Sequence, residues 1–146
     1  MSEYFELHRS VVFPKHCDHL GHMNVRYYAG HFDDGGFHLW NKIGIDQNQL
    51  RQSNLALVVA KIEINYIHEM VAGDLIVIDG AYSKIGNKSL RHHQRMFNAE
   101  TKILCATQDT VEVFFNLASR KAAEMPNSIR QILERHIVHP NNDLSK

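Results

Sequence analysis

Four apolar residues, Phe5, Leu7, Val11 and Phe13, share one face of an alternating stretch near the start of the chain, a period-two pattern that predicts a strand. The rhythm then changes. Tyr28, Phe32, Gly35, Leu39 and Ile43 recur every three or four residues, which predicts a helix buried along one side. The Gly35-Gly36 pair lies inside that helix, where glycine ordinarily weakens it, so its presence predicts a close approach to a packed sheet. After a polar segment from Asp46 to Asn54, alternation returns over Leu55 to Ile67. There Ile62, Ile64 and Tyr66 fall on one face and Lys61, Glu63 and Asn65 on the other, a half-buried strand. Three more strands are predicted at Asp74 to Tyr82, Ser89 to Asn98 and Lys102 to Phe115, separated by Gly73-Asp74, Gly86-Asn87 and Ala99-Glu100 turns. Ile129, Ile132, Leu133 and Ile137 then line one face of a helix predicted over Ser128 to Ile137, behind Pro126 and Asn127. One strand, a long helix and four consecutive strands make an α+β domain, an antiparallel sheet curled around a central helix with a C-terminal helix to close it.

Composition adds limits rather than detail. The 146 residues suit one domain over residues 1–146, and a 44% hydrophobic content is enough for a core of ordinary size. Sixteen basic and sixteen acidic residues cancel, so no global field selects nucleic acid or a membrane surface, and an anionic ligand must be met by a local patch. The segment Met1-Ser2-Glu3-Tyr4-Phe5 lacks a basic region followed by an apolar one, and no apolar run reaches bilayer length. The expectation is a soluble cytoplasmic protein. Cys17 and Cys105 are too few for a disulfide framework and read as reduced thiols.

The chemistry-bearing segment runs from Phe13 to Tyr28, an irregular loop feeding the start of the long helix. Pro14 and Gly21 interrupt regular structure, and Asn24 is a good N-cap for the helix that follows. This arrangement puts the first-turn amides near Asp18, so a carboxylate and an anion-binding helix terminus lie side by side. On spacing alone, Asp18 ending a turn and Asn24 capping a helix would account for both residues. His16, Cys17, Asp18, His19 and His22 are all metal-ligand types, but they crowd one short loop without the separated second pair that zinc sites use. We expect no metal there. Cys17 beside His16 invites a thiol-imidazole reading, yet neighbours on extended chain point apart.

The stretch Asp18-x-x-Gly21-His22-x-Asn24-x-x-x-Tyr28 resembles the entry motif of the hotdog-fold acyl-CoA thioesterases of the 4-hydroxybenzoyl-CoA thioesterase type, and Tyr66-Ile67-His68-Glu69 followed by Gly73-Asp74 looks like that family's second-strand ending. The resemblance spans roughly Phe5 to Phe115. It implies a hotdog fold and an aspartate, Asp18, acting as base or nucleophile on an acyl-CoA, with the Asn24-capped helix supplying the oxyanion site. Val25 stands where relatives often carry Asn or His, which leaves only its backbone amide to serve. Asp33 stands where relatives frequently have Glu, a second carboxylate of shorter reach. The resemblance further implies that His22, Tyr28 and Phe32 contact substrate, and that Lys84, Lys88, Ser89 and Arg91, on and before a strand with Arg91, His93 and Arg95 on one face, meet the phosphates of coenzyme A. That face would otherwise be a solvated exterior. No cofactor beyond the coenzyme A of the substrate is implied, and the expected assembly is a homodimer or homotetramer. A hotdog dehydratase or hydratase, or a non-catalytic acyl-CoA-binding protein, are the competing readings.

Overall fold

The computed structural model describes residues 4–140; the Met1-Ser2-Glu3 end of the leader reading lies outside them. Strand β1 (Phe5–Val11) leads through a short 3₁₀ turn at Pro14–His16 into helix α1 (Val25–Lys42). Helix α2 (Gln47–Gln52) and strands β2 (Leu55–Tyr66), β3 (Leu75–Ile85), β4 (Ser89–Asn98) and β5 (Leu104–Asn116) follow, then a two-residue strand β6 (Lys121–Ala122) and helix α3 (Asn127–Glu134). The strands form one antiparallel sheet in the order β1-β3-β4-β5-β2, with β6 pairing β5. Its concave face holds α1. This is the α+β architecture anticipated from the hydrophobic pattern, and the hotdog fold that the resemblance implied.

Three elements differ from expectation. The polar Asp46–Asn54 segment contains α2, because Asp46 caps it by accepting from the Asn48 amide at 2.8 Å and Leu50 turns into the core. Ile137 is not helical. It bridges to Tyr82 while the Val138 amide donates to the Tyr82 carbonyl at 2.8 Å, so α3 stops at Glu134 and the chain is tied down onto β3. The largest correction concerns β2. Its apolar face exists, and a bulge extends it: Val59 lies opposite Glu112 and Lys61 opposite Val111, so the unopposed Ala60 keeps Leu57, Val59, Ile62, Ile64 and Tyr66 on one side. That face is buried only in part: Leu57 and Ile64 pack against the core, whereas Val59, Ile62 and Tyr66 are 51%, 47% and 52% exposed, because β2 is an edge strand and α1 packs over β1 and β3 toward the other edge of the sheet.

The core is divided. One apolar cluster, with Leu39, Trp40, Tyr82, Leu90, Phe114 and Leu133, fills the C-terminal end of α1. A second, with Val12, Met23, Tyr28, Phe32, Ile76 and Met96, fills the N-terminal end. Between them the strand register lines up polar residues on the helix-facing side, Tyr82 beside His92 beside Thr110, and Gly80 beside Gln94 beside Gln108. His92, Gln94, Gln108, Thr110 and Glu112 are all buried. Gln94 reaches up to α1 and donates from Nε2 to the Phe32 carbonyl at 2.8 Å. The glycine pair makes room for it, since a Cβ on Gly35 would collide with Gln94 Oε1, whereas a Cβ on Gly36 would meet nothing closer than 3.6 Å.

No helix among the described residues is long and apolar enough to cross a membrane. Cys17 and Cys105 are both free thiols, and burial pushes the Cys105 thiol up from its ordinary value.

The glycine seat yields a contrast. Gly35→Ala should lower the melting temperature by roughly 3–10 °C, because overpacking a buried contact costs about 1–3 kcal/mol. Gly36→Ala should be neutral or stabilising, since relief of the helix penalty is worth up to about 1 kcal/mol. Thermal unfolding of both variants checks it, and equal effects would refute the seat.

Candidate active site

The segment before α1 is folded tightly, not loosely. The Asn24 amide donates to the His16 carbonyl at 2.8 Å, the Asp18 amide to the His22 carbonyl at 3.1 Å, and the Gly21 amide to the Asp18 carbonyl at 3.0 Å. Gly21 turns the chain with φ of 80°, a left-handed conformation in which any Cβ is strained. The Met23 amide donates to the Met70 carbonyl at 2.8 Å and anchors the loop to the end of the sheet.

Inside this loop the Asp18 carboxylate is fully ordered by hydrogen bonds. Its Oδ1 accepts from the Leu20 amide at 2.9 Å, and its Oδ2 accepts from the Asn24 side-chain amide at 2.9 Å. Asn24 turns its other atom to the helix: Oδ1 accepts from the Arg26 amide at 3.1 Å as the N-cap and from Arg26 Nε at 3.1 Å. One residue therefore joins the carboxylate to the helix terminus. The Tyr27 amide is satisfied by the Asn24 carbonyl at 3.0 Å, which leaves the amide of Val25 without an acceptor among the described residues. The Asn24 hydrogen bond, followed by that of Leu20, holds the Asp18 carboxyl below the ordinary carboxylate value of 3.8.

The aromatic residues stand behind this pair. Tyr28 is buried, meets Tyr66 edge-on with ring centroids 5.0 Å apart, and burial pushes its hydroxyl up to about 12. Phe32 is fully buried core. Tyr66 Oη donates to the Val25 carbonyl at 3.4 Å, so the end of β2 lies against the first turn of α1. His22 Nε2 lies 2.8 Å from Glu69 Oε2 and is held at the loop's flank. Tyr66 and Glu69 are the contacts that sequence reasoning left without a role, although both sit in the strand ending it had singled out.

Asp33 does not join Asp18. Eight residues further along α1, roughly 12 Å at the helical rise, it lies exposed on the rim of a cavity between α1 and β2. Its neighbour Asp34 sits 3.9 Å from His8 Nε2. Lys84, Lys88, Ser89 and Arg91 do come together, at the β3–β4 turn, with Lys84 directly opposite Arg91 and no ion pair to either among the described residues. That turn is at the other end of the sheet. β3 begins beside the Asp18 loop, where the Val12 amide donates to the Asp74 carbonyl at 2.9 Å, and Ile85 lies nine residues beyond Ile76, roughly 30 Å away at the strand rise. Within one protomer the carboxylate and the basic turn cannot touch the same small group. The face carrying Arg91, His93 and Arg95 is also not simply solvated: His93 is buried with Nδ1 3.1 Å from Asp109 Oδ1, and Arg95 pairs with Asp79 at 2.6 Å.

Around the loop, His16 packs at a tilt against Tyr27 with centroids 4.7 Å apart and Cys17 Sγ donates weakly to the Phe13 carbonyl at 3.8 Å. Among the described residues no group of three or more His, Cys, Asp or Glu is placed to hold a metal ion.

A hydrogen-bonded carboxylate beside an open helix N-terminus pairs a base or nucleophile with N–H donors, the groups that acyl-transfer chemistry uses. The comparisons name the family. A model of the thioesterase-like superfamily matches residues 12–133, and the chain belongs to that superfamily, whose chemistry is thioester hydrolysis. Solved structures share its fold: a 1,4-dihydroxy-2-naphthoyl-CoA thioesterase from Synechocystis (15% identity, 90% of this chain and 96% of that one, TM-score 0.75) and a probable thioesterase from Escherichia coli (22%, 90% and 98%, TM-score 0.77). So does a Staphylococcus aureus protein in complex with CoA (17%, 100% and 94%, TM-score 0.83).

The hydrogen bonds to Asp18 set a measurable pKa. Carboxyl-carbon NMR should place its titration below 3.8, and Asn24→Ala, which removes the principal cause, should move it up toward that value. An unchanged titration in Asn24→Ala would show that the bridge does not hold in solution.

Proposed function

We propose that the protein is an acyl-CoA thioesterase in which Asp18 carries the reaction and the amide of Val25, at the open end of α1, receives the thioester oxygen as it becomes an oxyanion. The observation behind this reading is the Asn24 bridge, which spaces the Asp18 carboxylate from a helix N-terminus. Of the two roles open to this carboxylate, base toward water or nucleophile, the proposal takes direct attack on the thioester. An Asp18 oxygen adds to the thioester carbon, the carbon–sulfur bond breaks, and coenzyme A departs as the thiolate and takes a proton from solvent. Water then opens the mixed anhydride, giving the free acid and regenerating the carboxylate. The S. aureus neighbour's complex with CoA supports coenzyme A as the carrier.

Asp18→Asn keeps shape and loses nucleophilicity. Thiol release from a panel of acyl-CoA esters should fall by about 100-fold to 10,000-fold while the variant stays folded. Near-normal kcat in Asp18→Asn, with loss in Cys17→Ser or Asp33→Asn instead, would reassign the chemistry.

The nucleotide is assigned to the basic turn of a second subunit. The unpaired edge of β2, with Val58, Val59, Ile62 and Tyr66 exposed, is an apolar strand that a symmetric partner would cover. Such a dimer can bring the partner's basic turn to the site that one protomer holds some 30 Å from its own. Arg91→Ala should raise KM for acyl-CoA several-fold with little change in kcat, an effect that weakens in high salt. Light scattering should report a dimer or a dimer of dimers; an active monomer with unaltered KM in Arg91→Ala would contradict the assignment.

A further inference from the structure

The polar belt between the two core clusters does not end inside the protein. It opens into a cavity of about 130 Å³ lined by Trp40 and Asp33 of α1, by β2, and by His92, Gln108, Thr110 and Glu112. Buried polar side chains normally find partners, and an unpartnered buried atom is costly. Here the pairing is incomplete. Gln108 Nε2 donates to Thr110 Oγ1 at 2.9 Å and His92 Nε2 lies 3.0 Å from Glu112 Oε1, but Gln108 Oε1 and His92 Nδ1 have no partner. Gln108 is only 3% exposed. Gln108 Oε1 is an acceptor in every state of the site, and His92 Nδ1 is one in the tautomer that donates from Nε2 to Glu112. Two carboxylates also face the cavity and no lysine or arginine does. The buried Gln108 Oε1 in this lining lacks a hydrogen-bond donor.

The cavity lies along the path an acyl chain would take. Tyr66 of β2 touches the first turn of α1 beside Asp18, and Ile62, Val59 and Leu57 continue down β2 to the cavity as Asp33, Gly36 and Trp40 continue down α1. A thioester held at Val25 is separated from Asp33 by roughly 12 Å of helix, so the tail of a medium-length acyl group arrives there, not its carbonyl. We infer that this cavity recognises the distal end of the acyl chain, and that it selects a tail bearing a hydrogen-bond donor, a hydroxyl or an amine, over an alkyl or a carboxylate end. Gln108 accepts from that donor, with Thr110 holding the amide in orientation. The inference rests on the thioesterase reading of Asp18 for its direction of entry.

Two measurements separate the two ideas. Thiol release is compared for omega-hydroxyoctanoyl-CoA, omega-aminooctanoyl-CoA, octanoyl-CoA and the omega-carboxy analogue. The donor-bearing esters should lead octanoyl-CoA in kcat/KM by about 10-fold or more, with the carboxylate poorest. In Gln108→Leu and, as the milder change, Thr110→Val, that preference should shrink to within about 3-fold. Binding of the non-hydrolysable thioethers S-(omega-hydroxyoctyl)-CoA and S-octyl-CoA is measured in parallel by calorimetry. Tighter binding of the hydroxylated thioether to wild type, lost in the variants, supports the cavity's role even if no ester is turned over, in which case the thioesterase reading alone fails. Turnover and binding that ignore the tail, or a preference retained in both variants, overturn the cavity assignment and leave Asp18 untouched.

Discussion

The fit of α1 onto the concave face of the sheet governs the rest of this molecule, and it turns on the contact between Gly35 and Gln94. A long helix can lie across a strongly curled sheet only if its middle approaches closely, and Gly35 removes the side chain that would hold it off. Gln94 occupies the vacated space and hydrogen-bonds the Phe32 carbonyl, so the closest approach is sealed by a polar contact. Apolar clusters on either side keep the helix from rocking. The orientation of the N-terminal turn of α1, and with it the direction in which the Val25 amide points, follows from this seat.

That rigid terminus lets a short, exposed loop hold a carboxylate in a defined place. Asp18 gains nothing from burial. Its position comes from two hydrogen bonds, from the glycine turn at Gly21, and from the Met23–Met70 anchor to the sheet. A site on a loop is ordinarily less well ordered than one on a strand. Here the Asn24 side chain compensates by serving the helix and the carboxylate together, so any change at Asn24 disturbs the cap and the acid at once.

The same glycine seat has a cost for the core. Leaving room for Gln94 also admits His92, Gln108, Thr110 and Glu112 to the interior, where polar atoms must be satisfied or put to use. An apolar core at these positions would be simpler to stabilise. The incomplete pairing of this belt where it lines a cavity is what makes it a candidate for ligand recognition.

Much of the fold was legible in the chain because hydrophobic period reports element type directly. The helix from Val25, the four strands after it and the close approach at Gly35-Gly36 all follow from spacing, and Asn24 as a cap follows from its chemistry. The Asp18 motif stood out only through its resemblance to a family entry motif, since spacing alone is met by a turn end and a helix cap. What spacing could not supply was anything decided by which strand lies at an edge or which face turns inward. Alternation marked an apolar face on β2 but could not say that α1 would leave part of it exposed. His92, Gln94, Gln108 and Thr110 drew no role from their spacing, and only the register brings them together on the side of β4 and β5 that faces the helix. Asp18, Asp33 and the basic turn look like one set on paper. The sheet sets Asp18 and the turn near its two ends, because a strand of eleven residues carries its two ends far apart.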